Sequence, residues 1–346
     1  MTTKITNDNI VSVAASKLTG ALPAVDGSAL TGIADGVTKS ASDPAIDTNP
    51  AGGVGTIWLN TTSGEMFSLT DATAGGNVWT NTGEGIGGVS PNISATGGTI
   101  TTDGDFKVHT FTTSGDFVVA VGGSMEYLVI AGGGGAGQPT NSYSTGGGGA
   151  GGYRTASGFT VASGTFDITV GAGGAQDVNG TDSVFSSITS VGGGYGGGGS
   201  GNSPSIGGSG GGASTGLGAA GTAGQGFAGG GIQPASGHAG NGGGGSSAVG
   251  ANFSGSGEAG VGGAGGAGTS SDIVETGVNV FRAGGGGAAG FSGNAVGGSG
   301  GGGQAYDVEG NPGATNTGSG GGGALWTGTT GGAGGSGVVI IRYQFQ

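Results

Sequence analysis

The sequence predicts a mainly β protein with little or no α-helix, any helix being confined to the N-terminal segment. Three observations support this fold class. Apolar residues are gathered into short runs that alternate with polar positions, and Gly, Ser, Thr and Asn cluster between the runs. Glycine supplies 99 of the 346 residues and recurs at every third position over several stretches. We therefore expect a small β-meander, followed by a β-structured base that carries a bundle of short threefold glycine helices.

Composition alone also allows a disordered chain. Only 33% of the residues are hydrophobic, and the formal net charge is −13. Both values are typical of chains that cannot bury a large core. The apolar residues are nevertheless concentrated in runs such as "EYLVIA" (126–131), "TFDITV" (165–170) and "GVVIIRY" (337–343). A disordered chain has no reason to concentrate them in this way, so we favour a folded β protein.

Several classes of function are excluded by what the sequence lacks. It has no cysteine, which excludes disulfides and thiolate metal sites. Seven Lys and Arg residues against twenty Asp and Glu provide no basic surface for nucleic acid. No apolar run is long enough to cross a membrane, and the first residues, "MTTKITNDNI", lack the pattern of a secretion signal. We therefore expect neither a nucleic-acid partner nor membrane insertion.

Residues 1–40 form the first predicted segment. They contain an imperfect repeat, "SKLTG" (16–20) and "SALTG" (28–32), whose units are too small to bury their own apolar residues. Such repeats generally pack against copies in neighbouring chains. The segment is therefore expected to trimerise or to attach the protein to a partner, and a flexible tail is the alternative.

Residues 41–83 are predicted to form a small β module. The runs "GTIWLN", "EMFSLT" and "NVWTN" resemble strands, and "TTSG" and "TAGG" supply turn residues between them. Trp58 and Trp79 are expected to be its packing anchors. Residues 84–98 are a predicted linker.

Residues 99–346 are predicted to form the glycine-rich distal domain. It begins with a predicted hairpin in which "DFKVHTF" and "DFVVAV" are joined by the turn "TTSG". Further strands lead directly into glycine runs, as in "LVIAGGGG", "ITVGAGG" and "VFRAGGGG". At the end of the chain the order is reversed, because Gly328, Gly331, Gly334 and Gly337 precede the run Val338–Ile341.

A left-handed extended helix with three residues per turn explains the glycine repeat. Such a helix has no internal hydrogen bonds, so its N–H and C=O groups project sideways. Neighbouring helices can bond to one another only where side chains do not separate them. Glycine at every third position clears one edge of the helix, and consecutive glycines clear more. We expect the strands to anchor these helices and the helices to bond laterally.

The sequence resembles proteins of tailed-bacteriophage fibres. Residues 41–83 resemble a module of such fibres, and the block "KVHTFTTSGDFVV…EYLVIAGGGGAG…GGYR…GTFDITVGAGG…GGSGVVIIRY" is similar to a glycine-rich domain of phage fibres and adhesins. The resemblance implies a virion protein, often trimeric, whose receptor-binding tip consists of packed polyglycine II helices. It implies no catalytic site.

No motif in the sequence indicates an enzyme. G-x-G-x-x-G recurs, but a chain so rich in glycine contains it by chance, and no helix-forming segment follows it. No lysine follows a glycine, which excludes a phosphate-binding GK[ST] loop. His109 and His238 are the only histidines, and "VNGTDSVF" (178–185) is a single weak match to a calcium-binding turn. We expect no catalytic residue, metal site or cofactor.

The turns between glycine runs are the candidate binding residues. Several of these turns carry one aromatic residue among polar residues, which suits stacking on sugars or contact with surface proteins. An alternative is that the rings cap the open ends of the bundle. The candidates are Tyr143, Phe253, Tyr306, Asp307, Glu309 and Trp326. The stretch 303–318, which contains Tyr306, is the longest and most polar.

The expected function is that of a phage tail fibre or adhesin in the virion. The expected partners are a host surface polysaccharide or outer-membrane protein, and other virion tail proteins bound through the N-terminus of a homotrimer. Because the chain and most bacterial surfaces are both anionic, attachment would depend on short-range fit rather than long-range attraction. The alternatives are a structural virion fibre without receptor binding and a cellular glycine-rich protein of the ice-binding or wall type.

Overall fold

The computed structural model divides the chain into two units, Met1–Ser90 and Pro91–Gln346. The division falls within the predicted linker 84–98. The structure describes residues 37–45, 48, 50, 53–73, 76–83, 93–140, 144–199, 202–231, 238–326 and 329–345. Most of the predicted segment 1–40 therefore lies outside the described residues.

The described residues confirm a mainly β protein with almost no helix. The strands are β1 (Val37–Ser40), β2 (Ile57–Asn60), β3 (Met66–Asp71), β4 (Val78–Gly83), β5 (Ser94–Thr96), β6 (Thr99–Asp103), β7 (Phe106–Phe111), β8 (Gly115–Val121), β9 (Gly123–Ile130), β10 (Tyr153–Val161), β11 (Gly164–Thr169), β12 (Ser183–Phe185), β13 (Ile188–Ser190), β14 (Thr269–Ser271), β15 (Val280–Arg282) and β16 (Val338–Gln344). In the part of the chain that is described, the only helical segment is the short 3-10 turn Gly257–Ala259, so no helix there could span a membrane.

The first unit contains one four-stranded sheet with the order β1-β2-β3-β4. β1 is parallel to β2, whereas β2, β3 and β4 pair antiparallel in chain order. Leu69 is fully buried, and the rings of Trp58 and Trp79 meet edge to face with their centroids 5.6 Å apart. The Trp58 indole N–H also donates to the carbonyl of Ser42 at 2.9 Å. The two tryptophans therefore pack against each other inside this module.

The second unit contains two five-stranded sheets and a small ribbon. One sheet has the order β10-β9-β16-β7-β6 and the other β13-β12-β11-β8-β5, and β14 pairs with β15. All these pairings are antiparallel. β16 lies between β9 and β7, so the last strand in sequence is the centre of the first sheet. Its first four residues, Val338–Ile341, are buried because they alternate between two apolar clusters.

The predicted hairpin of β7 and β8 is wrong. β7 pairs with β6 and β16 in the first sheet, whereas β8 pairs with β5 and β11 in the second. The turn 112–114 therefore carries the chain from one sheet to the other. The physical reason is burial: Phe111 and Phe117 both point into the space between the sheets, and their rings meet edge to face at 6.2 Å.

The core of the second unit has two parts. Thirteen buried residues fill the space between the two sheets, among them Phe117, Phe185 and Ile341. The opposite face of the first sheet, including Leu128 and Ile340, packs against Ala150 and Ala283, which lie where glycine-rich segments meet the strands β10 and β15. This face therefore connects the β base to the glycine-rich region.

His109 is a structural residue of this core. Its side chain is fully buried between the sheets. Nδ1 lies 2.8 Å from the carbonyl oxygen of Gly97, so Nδ1 must carry the proton and donate. Nε2 then accepts from the Tyr343 hydroxyl at 3.1 Å, and that hydroxyl oxygen accepts from the N–H of Ala95 at 3.1 Å. The network is satisfied only by a neutral imidazole, and burial lowers the pKa of His109.

The lowered pKa of His109 predicts a loss of stability in weak acid. Because the unfolded chain binds a proton at His109 more readily than the folded chain, the free energy of unfolding should fall as the pH drops below about 6.5. The slope contributed by this group is at most about 1.4 kcal/mol per pH unit. Urea unfolding of wild type and His109→Gln between pH 7.5 and 5 measures it, with His238→Gln as the control. An equal slope in His109→Gln would show that His109 is not the titrating group.

Candidate functional site

The glycine-rich segments are joined by backbone hydrogen bonds that repeat every three residues. Segment 132–137 shows the pattern most clearly. The N–H groups of residues 132 and 135 donate to one neighbouring segment, those of 133 and 136 to a second, and those of 134 and 137 to a third. For residues 132 to 137, the acceptors in order are the carbonyls of Thr181, Gly335, Gly149, Val178, Gly332 and Gly146. The donors of this segment thus point in three directions.

The carbonyl groups of the same segment point toward three other neighbours. They accept from the N–H groups of Gly193, Gly174, Gly321, Gly196 and Asp177. Segment 132–137 is therefore surrounded by six bonded neighbours, some parallel and some antiparallel to it. Such lateral pairing satisfies backbone groups that have no partner within their own segment.

Further segments have the same environment of six bonded neighbours. They are 146–151, 209–213, 240–245, 284–289 and 319–324. We call these five, together with 132–137, the enclosed segments. Their residues are buried almost throughout, although they contain few large apolar side chains. Backbone hydrogen bonding, rather than apolar packing, therefore dominates the interior of this region.

Glycine is required where the enclosed segments approach one another. A methyl group on Gly148 would overlap the carbonyl oxygen of Gly134, and one on Gly134 would overlap the carbonyl oxygen of Gly194. These obstacles are backbone atoms held by their own hydrogen bonds, so they cannot move aside as the end of a flexible side chain could.

The bundle formed by these segments has two different ends. At the sheet end, segments continue into strands, as at Ala131 after β9 and at Gly337 before β16. At the opposite end, which we call the loop end, the chain turns back between segments. The turns after Gly290, after Ala305 and after Ala324 meet there.

Tyr306, Asp307 and Glu309 lie together in one of these turns. The Tyr306 side chain is 42% exposed, and both carboxylates are exposed. These residues line an open depression of about 530 Å³, whose lining residues are Asn294, Tyr306, Asp307, Val308, Glu309 and Asn311. The Asn294 side-chain amide donates to Asp307 Oδ1 at 2.6 Å, which joins two turns of the loop end.

Trp326 lies beside this turn. It follows Leu325, whose N–H donates to the carbonyl of Asp307 at 3.4 Å. The Trp326 ring is 43% exposed and meets Phe291 edge to face at 4.9 Å. Phe291 in turn contacts the ring of His238 at 5.2 Å and packs against the buried cluster of Ala289, Ala305 and Leu325. Trp326 is therefore both an exposed ring and part of a cap over the bundle.

Phe253, another of the candidates, is not part of this group. Phe253 is half-buried, and its N–H donates to the side-chain oxygen of Asn241 at 3.0 Å. The depression lined by Tyr306 does not include it. Tyr143 lies outside the described residues.

The polar stretch 303–318 is not a single loop. Residues 306–309 form the exposed turn at the loop end, and residues 310–314 then run back along the bundle. The N–H groups of Gly310, Asn311 and Gly313 donate to Thr330, Gln304 and Ala333. A second turn at 315–318 lies at the sheet end, where the carbonyl of Gly318 accepts from Gly151. Only the first turn can contribute to a site at the loop end.

Two residues of the loop end, Phe291 and Asn294, were not among the candidates predicted from the sequence. The stretch "GFSGNAVGG" (290–298) does contain turn residues around one aromatic, which is the signal that identified the other turns. Within the described ranges, no group of three or more His, Asp or Glu side chains is placed to hold a metal ion.

Comparison with known proteins identifies the glycine-rich part of the chain. A family described as a glycine-rich domain matches residues 110–344, which is more than half of the sequence. No curated protein shows a significant match.

Proposed function

We propose that this chain, which belongs to the glycine-rich domain family, is a tail-fibre adhesin of a tailed bacteriophage. It attaches the virion to the host cell through the loop end of its distal domain. The observation that carries the proposal is the combination of a bundle of fixed backbone segments with one end that displays exposed aromatic and carboxylate side chains.

In this proposal the glycine-rich segments are polyglycine II helices. Two observations support this assignment. The lateral hydrogen bonds repeat every three residues, and each segment bonds to parallel as well as antiparallel neighbours. A bundle of this kind is stiff, because each turn is fixed at both ends by bonded segments. Residues on its turns lose little further freedom when they bind, which favours affinity.

The loop end is the binding surface because two of its aromatic rings remain exposed although the apolar cluster beneath them is already covered. Phe291 already packs against the small apolar cluster of Ala289, Ala305 and Leu325, yet Tyr306 and Trp326 remain close to half exposed. Exposed aromatic residues on a fixed scaffold are typical of recognition sites. The receptor is a polysaccharide or an outer-membrane protein of the host.

The proposal assigns assembly to the rest of the protein. The N-terminal segment 1–40 binds other virion tail proteins and helps to form a homotrimer, in keeping with its short repeats. The chain acts by binding and performs no catalysis. It binds no nucleic acid and does not insert into membranes.

Competition for host cells tests this function. The full-length protein, added to cells before the phage, is expected to reduce adsorption of virions in proportion to its concentration. The double variant Tyr306→Ala/Trp326→Ala should lose this competition, whereas Phe281→Ala, which removes an exposed ring (51%) from the β15 ribbon, should retain it. Point variants are preferable to deletion of 303–318, because residues 310–314 are bonded into the bundle.

If the wild-type protein binds no cells and fails to compete, the adhesin proposal is wrong. A structural fibre without a receptor role would then be favoured. Equal competition by the double variant would instead show that attachment uses another surface.

A further inference from the structure

The depression at the loop end has the size and lining of a site for a small polar ligand. Its volume of about 530 Å³ falls within the range of small-molecule sites. Tyr306, whose side chain is close to half exposed, is one of its lining residues. The other lining residues are two acidic residues, two asparagines and one apolar residue, namely Asp307, Glu309, Asn294, Asn311 and Val308.

The turn that carries Tyr306 is fixed on both sides. Before it, Ala305 is fully buried, and the Tyr306 N–H donates to the carbonyl of Gly323 at 3.2 Å. After it, the Gly310 N–H donates to the carbonyl of Thr330 at 3.0 Å. The backbone that carries Asp307 and Glu309 is therefore held at both ends of the turn before any ligand arrives, which lowers the entropy cost of binding.

The bond between Asn294 and Asp307 fixes the orientation of the carboxylate. Asn294 Nδ2 donates to Oδ1 at 2.6 Å, and a carboxylate can accept several hydrogen bonds. Asp307 is exposed and retains capacity to accept from a ligand hydroxyl. Asn294 thus acts as a positioning residue for Asp307.

The chemistry of the lining matches an uncharged saccharide. A sugar ring presents a face of C–H groups that can lie on an aromatic ring, and hydroxyls around its edge that donate to carboxylates and exchange hydrogen bonds with amides. Tyr306 supplies the ring, Asp307 and Glu309 supply acceptors, and Asn311 supplies both a donor and an acceptor.

The same lining disfavours two other ligand classes. A protein receptor generally buries aromatic and Arg side chains in an interface core from which Asp and Glu are depleted. An acidic saccharide would be repelled by two carboxylates, and none of the described residues lining the depression is Lys or Arg.

We infer that the depression lined by Tyr306, Asp307, Glu309 and Asn311 binds an uncharged saccharide, with its ring against Tyr306 and its hydroxyls donating to the carboxylates. This inference rests on the proposed adhesin function and names the receptor class for that surface.

A glycan microarray that contains neutral and acidic saccharides tests the ligand class. The full-length protein is expected to bind neutral glycans and not sialylated or uronic-acid glycans. Affinity for the bound glycan should fall about tenfold or more in Tyr306→Ala and in Asp307→Asn. Asp307→Asn keeps the shape and still allows the Asn294 amide to donate, so it removes mainly the charge. Glu258→Gln, which removes one exposed carboxylate elsewhere, and Phe281→Ala should bind as the wild type does. No binding to any neutral glycan, or preference for acidic glycans, would overturn the inference.

Treatment of host cells separates this inference from the proposed function. Periodate cleaves the vicinal diols of sugars, and proteinase K removes surface proteins. The inference predicts that periodate abolishes binding of the full-length protein and that proteinase K leaves it intact. Binding that survives periodate but not proteinase K would refute the saccharide while the adhesin function stands. No binding to untreated cells would refute the adhesin function itself.

Discussion

Replacing Gly148 with alanine is expected to destabilise the distal domain strongly. The added methyl group would overlap the carbonyl oxygen of Gly134, and both residues belong to enclosed segments with six bonded neighbours. Relief requires displacement of a whole segment and loss of several hydrogen bonds. We expect the free energy of unfolding to fall by about 3 kcal/mol, which is at the upper end of the usual range for overpacking. For a unit of this size the melting temperature should fall by about 6–12 °C, measured by scanning calorimetry.

Gly115→Ala is the matched control for this substitution. Gly115 lies in β8, and an added methyl group there meets nothing within 4 Å. Because alanine restricts the unfolded chain more than glycine does, the free energy of unfolding of this variant should rise by up to about 1 kcal/mol. The two glycine-to-alanine changes are thus predicted to have opposite signs. Similar small effects in both would show that the bundle tolerates side chains and that its close contacts are not essential.

Ile340→Ala is expected to weaken the connection between the β base and the glycine bundle. Ile340 is fully buried in β16, where it shares a cluster with Leu128, Ala150 and Ala283. Truncation of a buried isoleucine to alanine usually lowers the free energy of unfolding by about 2–5 kcal/mol, because apolar burial is lost and a cavity remains. The value here should be in the upper half of that range, because both neighbouring strands are fixed by hydrogen bonds and cannot close the cavity. Urea unfolding followed by far-UV circular dichroism measures the change.

The control for Ile340→Ala is Val118→Ala in β8. Val118 is 41% exposed, so its truncation should cost less than about 1 kcal/mol. Equal losses in the two variants would indicate that the cluster beneath the bundle contributes no special stability.

The sequence was most informative where local pattern determines local structure. The run "GVVIIRY" predicted a strand, and "DFKVHTF" and "DFVVAV" predicted two more, because alternation and turn residues are local signals. The turn residues around Tyr306 and Trp326 likewise predicted exposed positions.

Partnerships between distant segments could not be predicted in this way. The turn "TTSG" reverses the chain equally well within one sheet or between two, so the pattern could not show that β7 and β8 separate. The place of β16 between β9 and β7 depends on residues more than 200 positions away. The depression at the loop end similarly needs Asn294, which lies in a different turn from Asp307. Because the glycine segments have very similar sequences, the residues of one segment do not show which six other segments will surround it.

Hydrogen exchange of the backbone amides tests whether lateral amide bonding holds the distal domain together. If it does, amides in segments 132–137, 146–151, 240–245 and 284–289 should exchange as slowly as those of β9 and β16, whereas amides in the exposed part of the turn, 307–309, should exchange quickly. Exchange in those glycine segments at the rate of an unstructured peptide, while the β strands remain protected, would contradict it.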